Sequence, residues 1–205
     1  MFHLYLSSDK VTDSILPELR ELLANRRVKT LDDPSRKPAS VLLLVYKKDG
    51  DYFIHLQKRP QHVHRHKGEV CFPGGVPEST DDGPLATALR EAFEEDGIRP
   101  EDVTILGQMD DFPTRTDYTL NVFVGTIPYP YDFQSNPNEV EELIEIPLKA
   151  LQDPANLREE VRWQKDGPVT TYSYAYGPHI TYGATAHIVT QFLSLVDQAQ
   201  KNWRA

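Results

Sequence analysis

A single cysteine in 205 residues leaves no partner for an internal disulfide, and a reducing compartment is compatible with that. Cys71 lies in an apolar stretch, where a buried small hydrophobe is expected rather than a reactive thiol. No apolar run approaches the ~20 residues needed to cross a bilayer, so no membrane association is expected. The opening MFHLYLSSDK lacks a basic leader before an apolar core, and the closing NWRA is not an SKL-type address; the expected location is cytoplasmic. Positive charge is in deficit, with 22 Lys and Arg against 31 Asp and Glu. That net charge of -9 argues against nucleic acid as a partner, because phosphate-backbone binding needs a basic footprint. Repeats and low-complexity segments are also missing. What is present, 39% hydrophobic and 26% charged residues, is the balance of an ordinary globular protein. A chain of this length fits one domain burying roughly 70% of the surface its unfolded form exposes.

The densest chemistry runs from Gly68 to Ile98, GEVCFPGGVPESTDDGPLATALREAFEEDGI. It reads as a short strand (Val70 to Phe72), a Pro-Gly-Gly turn, an acidic loop and a helix from Leu85 to Glu95. Pro84 suits the first helical turn and Gly97 the position just past the end. Leu85, Ala88, Leu89 and Ala92 supply its apolar side. Glu91, Glu94 and Glu95, three and four residues apart, project to one side. Stacked like charges cost a few tenths of a kcal/mol each, so such a cluster calls for a cation. Carboxylate oxygens suit a hard ion such as Mg2+, which commonly also bridges substrate phosphates. Just upstream lies the one local concentration of positive charge, Lys58, Arg59, Arg65 and Lys67, interleaved with His62, His64 and His66.

Around this stretch the patterning alternates. Val11 to Arg27 has helical apolar spacing, with Thr12 or Asp13 as a cap. Val28 to Pro38 reads as an irregular linker because of Pro34 and Pro38. Ala39 to Tyr46 is a central strand that returns through Lys47 to Gly50 as Tyr52 to Gln57. Val103 to Asp110 and Tyr118 to Ile127 are strands joined by FPTRTD. Glu139 to Ile146 is an exposed-edge strand or a short helix, followed by the helical turn KALQD. Val161 to Lys165 and Thr170 to Tyr176 flank a hairpin turn at Asp166-Gly167. A last helix runs from Gly183 to about Asn202. The predicted class is mixed α/β, a sheet between helices.

REAFEEDGI, Arg90 to Ile98, resembles the core of the Nudix box. HLQKRPQHVHRHKGEVCFPGG, His55 to Gly75, resembles the second signature of the coenzyme A pyrophosphatase branch of the Nudix hydrolases. Two adjoining motifs in the right order are more specific than either alone. Three departures stand out. Gly75 lies fifteen positions before Arg90, one more than the box has, and the acid in that loop is Asp81 or Asp82. Ala92 replaces a bulky aliphatic, and His64 stands where the branch has Arg. Weaker echoes are PTRTDYTLNVFVG, EVEELIEIPL and ITYGATAHIV, with Tyr182 replacing Trp.

The resemblance implies a Nudix-type mixed sheet sandwiched between helices, one domain over residues 1–205, with residues 1–34 as a helical extension and 36–200 as the catalytic core. It implies Mg2+ or Mn2+ held by Glu91 and Glu95, with Glu94 and the Gly75 carbonyl as further ligands. Arg90 is expected to orient the glutamates through a bidentate pairing, and Glu139 to act as the base, ahead of Glu141 and Glu142. Lys58, Arg59, Arg65 and Lys67 would meet substrate phosphates. The small-molecule substrate is coenzyme A or a derivative, cleaved to 3',5'-ADP and a 4'-phosphopantetheine fragment. Rival readings are a Nudix pyrophosphatase acting on another nucleoside diphosphate derivative (ADP-ribose, NADH, a dinucleoside polyphosphate) and a non-catalytic binding module. A homodimer is left open.

Overall fold

Residues 14–62, 67–164 and 167–204 are described by a computed structural model. In chain order they form α1 (Leu16–Asn25), β1 (Lys37–Lys48), β2 (Asp51–Lys58), β3 (Val70–Cys71), β4 (Gly74–Gly75) and α2 (Pro84–Asp96). Then come β5 (Thr104–Gln108), β6 (Phe112–Pro113), β7 (Tyr118–Thr126), β8 (Glu142–Pro147) and α3 (Leu148–Gln152). The chain closes with β9 (Leu157–Gln164), β10 (Gly167–Tyr176), β11 (His179–Tyr182) and α4 (Gly183–Arg204).

The apolar run of β1 decides the layering. A strand covered on both faces is apolar at successive positions, and its side chains alternate between faces. Leu42, Leu44 and Tyr46 pack with Ala88 and Ala92 of α2 and with Phe123. Leu43 and Val45 pack on the other side with Leu19 and Leu23 of α1 and Phe192 and Val196 of α4. The result is an eight-stranded mixed sheet between α2 and the α1/α4 layer, as expected from the sequence. Its main path is β3-β2-β1-β7-β5, with β8 beside β2, β6 beside β7 and β4 beside β1. Among the described strands only β1 and β7 run parallel, Lys37 opposite Tyr118 through Leu44 opposite Gly125. A separate antiparallel sheet has the order β11-β10-β9.

Several boundaries differ from the sequence expectation for local reasons. Pro38 lies inside β1 rather than in a linker; near a strand's start a missing N–H is tolerated. The Pro-Gly-Gly turn is partly strand: β4 pairs with β1, Ser40 opposite Gly75 and Val41 opposite Gly74. A Cβ at Gly74 would lie 2.8 Å from Val41 Cα, so only glycine lets the two backbones meet. The first helix starts at Leu16, and the proposed caps Thr12 and Asp13 fall outside the described residues. Glu142 to Ile146 is strand, not helix, on the open side of β2, whereas Glu139 sits in the turn before it. The hairpin turn residue Asp166 is also outside the described residues, while β11 has no counterpart in the sequence reading.

Candidate active site

β1 and β2 pair from Lys48 opposite Asp51 only as far as Val45 opposite Ile54. Beyond that point they part, and β3 and β4 fill the wedge, β3 on β2 and β4 on β1. The C-terminal half of α2 lies over this wedge. Its end is set by Gly97, left-handed at φ 68°, whose N–H returns to the Phe93 carbonyl at 2.9 Å.

Glu91 and Glu95, one turn apart, enter the cleft at the wedge; Glu94 stays at the surface, its side chain 48% exposed. Glu95 is 2% exposed. Its Oε2 accepts from the Gly74 N–H at 2.9 Å and from Gln57 Nε2 at 2.8 Å, and its Oε1 faces Arg59 Nη1 at 3.6 Å. Burial nonetheless pushes its carboxyl up to about 8. Burial also raises the Glu91 carboxyl, against the pull of Arg90.

Arg90 makes its bidentate pairing with Asp81, Nε to Oδ1 at 2.9 Å and Nη2 to Oδ2 at 3.0 Å. The glutamates receive its remaining nitrogen, Nη1, at 3.0 Å from Glu91 and 2.9 Å from Glu94, and Nη2 also donates to the Val76 carbonyl at 3.0 Å. Asp81 further accepts from Thr87 Oγ1 and the Glu78 N–H, each at 2.9 Å. Bonds from Arg90 first hold Asp81 well below the usual carboxylate range. Of the two loop acids, Asp81 is therefore the one that ties the long loop to the helix.

Gly75 touches the Glu91 carboxylate so closely that an added Cβ would lie 2.5 Å from Glu91 Cδ. Gly75→Ala must therefore swing Glu91 aside, and we expect at least about a tenfold loss of turnover with little change in melting temperature. Steady-state kinetics beside a thermal melt checks this; full activity would mean that Glu91 need not hold this position.

The cleft has a volume of about 1300 Å³ and is lined by Glu91, Glu95, Gly75, Arg59 and Glu139 at the wedge. It continues past Phe112, Arg115, Tyr172 and His187 toward the three-stranded sheet. Of the predicted phosphate-binding cations, Arg59 lines it. Lys58 is bonded to Glu141 at 2.6 Å, Lys67 is exposed in a turn, and Arg65 lies outside the described residues. Cys71 lines the cleft too, but burial pushes its thiol up to about 12, leaving it the inert hydrophobe expected.

On the α2 side of β2, alternation aims His55 and Gln57 at consecutive residues of the helix. Gln57 holds Glu95, while His55 Nε2 lies 2.7 Å from Asp96 Oδ2 with both side chains fully buried. Phe133 stacks on the His55 ring at 4.7 Å. The residues after it bond back to the helix end, Gln134 N–H to the Asp96 carbonyl at 3.0 Å and Asn136 N–H to the Glu95 carbonyl at 2.7 Å. The segment leading to Glu139 is thus fastened to the last turn of α2. The signal available in the sequence was two polar residues two apart in an otherwise apolar strand.

No three His, Cys, Asp or Glu side chains among the described residues are grouped to hold an ion by themselves. The two cleft carboxylates fit a hard divalent cation all the same. Glu95 is buried and Glu91 half-buried, both carry raised proton affinity that a cation would offset, and they adjoin the side-chain-free backbone of Gly74 and Gly75. Mg2+ habitually takes one or two carboxylates and fills its shell with waters and substrate oxygens.

A family model described as the NUDIX domain matches residues 36–193. The uncharacterised Nudix hydrolase NudL of Photorhabdus laumondii is 32% identical over 168 residues, covering 82% of this chain and 89% of that protein. The NudL of Enterobacter sp. strain 638 is 37% identical over 114 residues, covering 56% of this chain and 59% of its own. A MutT/nudix family protein from Enterococcus faecalis shares the fold at a TM-score of 0.52 and 15% identity, over 94% of this chain and 76% of that one. DR0079 from Deinococcus radiodurans does so at 0.51 and 14%, over 78% and 87%. The matched span takes in the eight-stranded sheet, the acid-bearing helix and the wedge beneath it, and with those relatives it places the chain in the NUDIX family, as a Nudix hydrolase.

Proposed function

We propose that this pyrophosphohydrolase splits the diphosphate of coenzyme A or its derivatives into 3',5'-ADP and a 4'-phosphopantetheine fragment, using Mg2+ or Mn2+. The observation that carries the reading is the cleft. Acids and Arg59 crowd one end, and a further stretch of aromatic, apolar and cationic lining extends beyond them, long enough for a substrate with large groups on both sides of its diphosphate.

In this reading Glu91 and Glu95 hold the ion, helped by the Gly75 carbonyl, and Glu94 acts from the surface through its pairing with Arg90 rather than as a direct ligand. When bound, the ion would neutralise phosphoryl charge and acidify the attacking water. Glu139, half-buried at the cleft edge, takes the proton of the water whose oxygen joins one phosphorus as the bridging P–O bond breaks. The released phosphate carries the bond's electron pair. Arg59 stabilises charge growing on the phosphoryl oxygens. Arg90 does not reach the substrate; held by Asp81, it fixes Glu91 and Glu94 in place.

Incubation with coenzyme A and either metal, followed by chromatography, is expected to yield 3',5'-ADP, and no product without metal. Turnover of ADP-ribose or a dinucleoside polyphosphate with coenzyme A untouched would overturn the substrate assignment.

A further inference from the structure

Beyond the acids, three rings meet inside the cleft. The His187 ring centroid lies 5.4 Å from that of Phe112, tilted by 32°, and 5.0 Å from that of Tyr172, edge-on at 78°. All three side chains are half-buried, so their faces are neither sealed in the core nor spread over the surface. Burial first, and Arg115 second, hold the imidazole below its ordinary value, so the ring is neutral near pH 7. Neutral rings arranged this way offer a stacking surface to a flat heterocycle.

Arg115 lines the same end of the cleft. Every other described Lys or Arg lining the cleft is committed: Arg59 faces Glu95 at 3.6 Å, and Arg158 is paired with Glu160 at 2.5 Å. Arg115 has no carboxylate partner among the described residues. Its loop is braced, with the Thr114 N–H donating to the Tyr118 carbonyl at 2.8 Å, the Tyr118 N–H to Thr114 Oγ1 at 3.0 Å, and Arg36 to the Thr114 carbonyl at 2.7 Å. An exposed guanidinium carried on a braced loop beside a stacking surface, in a chain of net charge -9, matches a ligand that is both aromatic and anionic. The pantetheine arm, uncharged and without a ring, does not match this end.

We propose that Phe112, Tyr172 and His187 receive the adenine of the substrate and that Arg115 binds the phosphate on the 3' position of its ribose. Arg115 is thereby a specificity-determining residue that separates 3'-phosphorylated from 3'-dephosphorylated nucleotides. The inference rests on the coenzyme A reading for its ligand and is tested separately from it.

Calorimetry with 3',5'-ADP and with 5'-AMP needs no metal and no turnover. The wild-type protein is expected to favour 3',5'-ADP by about tenfold, the worth of one charge-assisted contact. Arg115→Ala should remove that preference by weakening 3',5'-ADP alone, Arg115→Lys should restore part of it, and His187→Leu should weaken both nucleotides together. In kinetics, Arg115→Ala should raise KM for coenzyme A about tenfold, leave kcat unchanged, and leave dephospho-coenzyme A unaffected. Equal binding of the two nucleotides by wild type, or equal losses of both in Arg115→Ala, overturns the assignment. Selective nucleotide binding without coenzyme A cleavage would keep it and remove the hydrolysis reading instead.

Discussion

Glu95→Gln is expected to lower kcat about a thousandfold while the protein stays folded, since in the proposed reading it weakens the hold on a cation that would offset several kcal/mol of developing phosphoryl charge. The substitution is close to isosteric, and Glu95 is already held by donors from Gly74 and Gln57. A glutamine oxygen can keep one of those bonds, and its amide nitrogen can donate to Gln57 Oε1, which has no partner among the described residues. Packing therefore survives and charge does not. The same carboxyl predicts a pH signature in the metal-free protein. Its folded value near 8 exceeds the ordinary 4.5, so the folded state holds the proton more tightly. Glu95 thus contributes stability that is complete below about pH 4.5 and is lost as pH rises through 8. A divalent ion displaces that proton, so metal binding should release it and restore stability at the alkaline end. Thermal melts across this range in chelator, with and without added Mg2+, and beside Glu95→Gln, check all of this. A loss of kcat below tenfold would place Glu95 outside the reacting centre.

How much of this was legible beforehand follows from where the information lies. The span of α2 could be read because Pro84 and Gly97 bracket it and Ala88 and Ala92 mark its buried side; the helix runs Pro84–Asp96. The sheet could be read because β1 is apolar at both parities. The three-acid face was legible only as a face. Spacing puts Glu91, Glu94 and Glu95 on one side of a cylinder, but the wedge decides which of them turn inward, and that wedge comes from β1 and β2 parting where two glycines can fill the gap. Arg90 could be seen to need an acid, yet its bidentate partner comes from the loop, because only Asp81 presents both oxygens to the guanidinium fork. Arg115, Tyr172 and His187 belong to three segments far apart in the chain, with no shared local pattern. Their meeting depends on the placement of β6, β10 and α4, which no local periodicity encodes.

His55→Ala is expected to destabilise the protein by about 3 kcal/mol, the cost of leaving the buried Asp96 carboxyl without its hydrogen-bond partner together with the lost packing of the ring. His55 and Asp96 are both fully buried, 2.7 Å apart, and Asp96 Oδ1 and His55 Nδ1 already lack partners among the described residues. Removing the ring strips Asp96 of the side-chain partner it has among the described residues and takes away the face on which Phe133 stacks. The conserved-volume alternative behaves differently. His55→Leu combined with Asp96→Leu removes both polar groups together, and replacing both partners of a buried hydrogen bond by apolar groups of similar shape is often nearly neutral in stability. Urea unfolding should therefore show a sharply lowered midpoint for His55→Ala and near recovery for the double variant, with the slope unchanged in both. A single variant that unfolds within about 1 kcal/mol of wild type would mean that water reaches Asp96. The function of the double variant then separates two consequences of the pair. Gln57 still holds Glu95, and the Gln134 and Asn136 N–H groups still bond the helix end. What is lost is the stacking that sets the segment ahead of Glu139. A stable double variant with reduced kcat and unchanged KM would trace that loss to the placement of Glu139 rather than to the acids of α2.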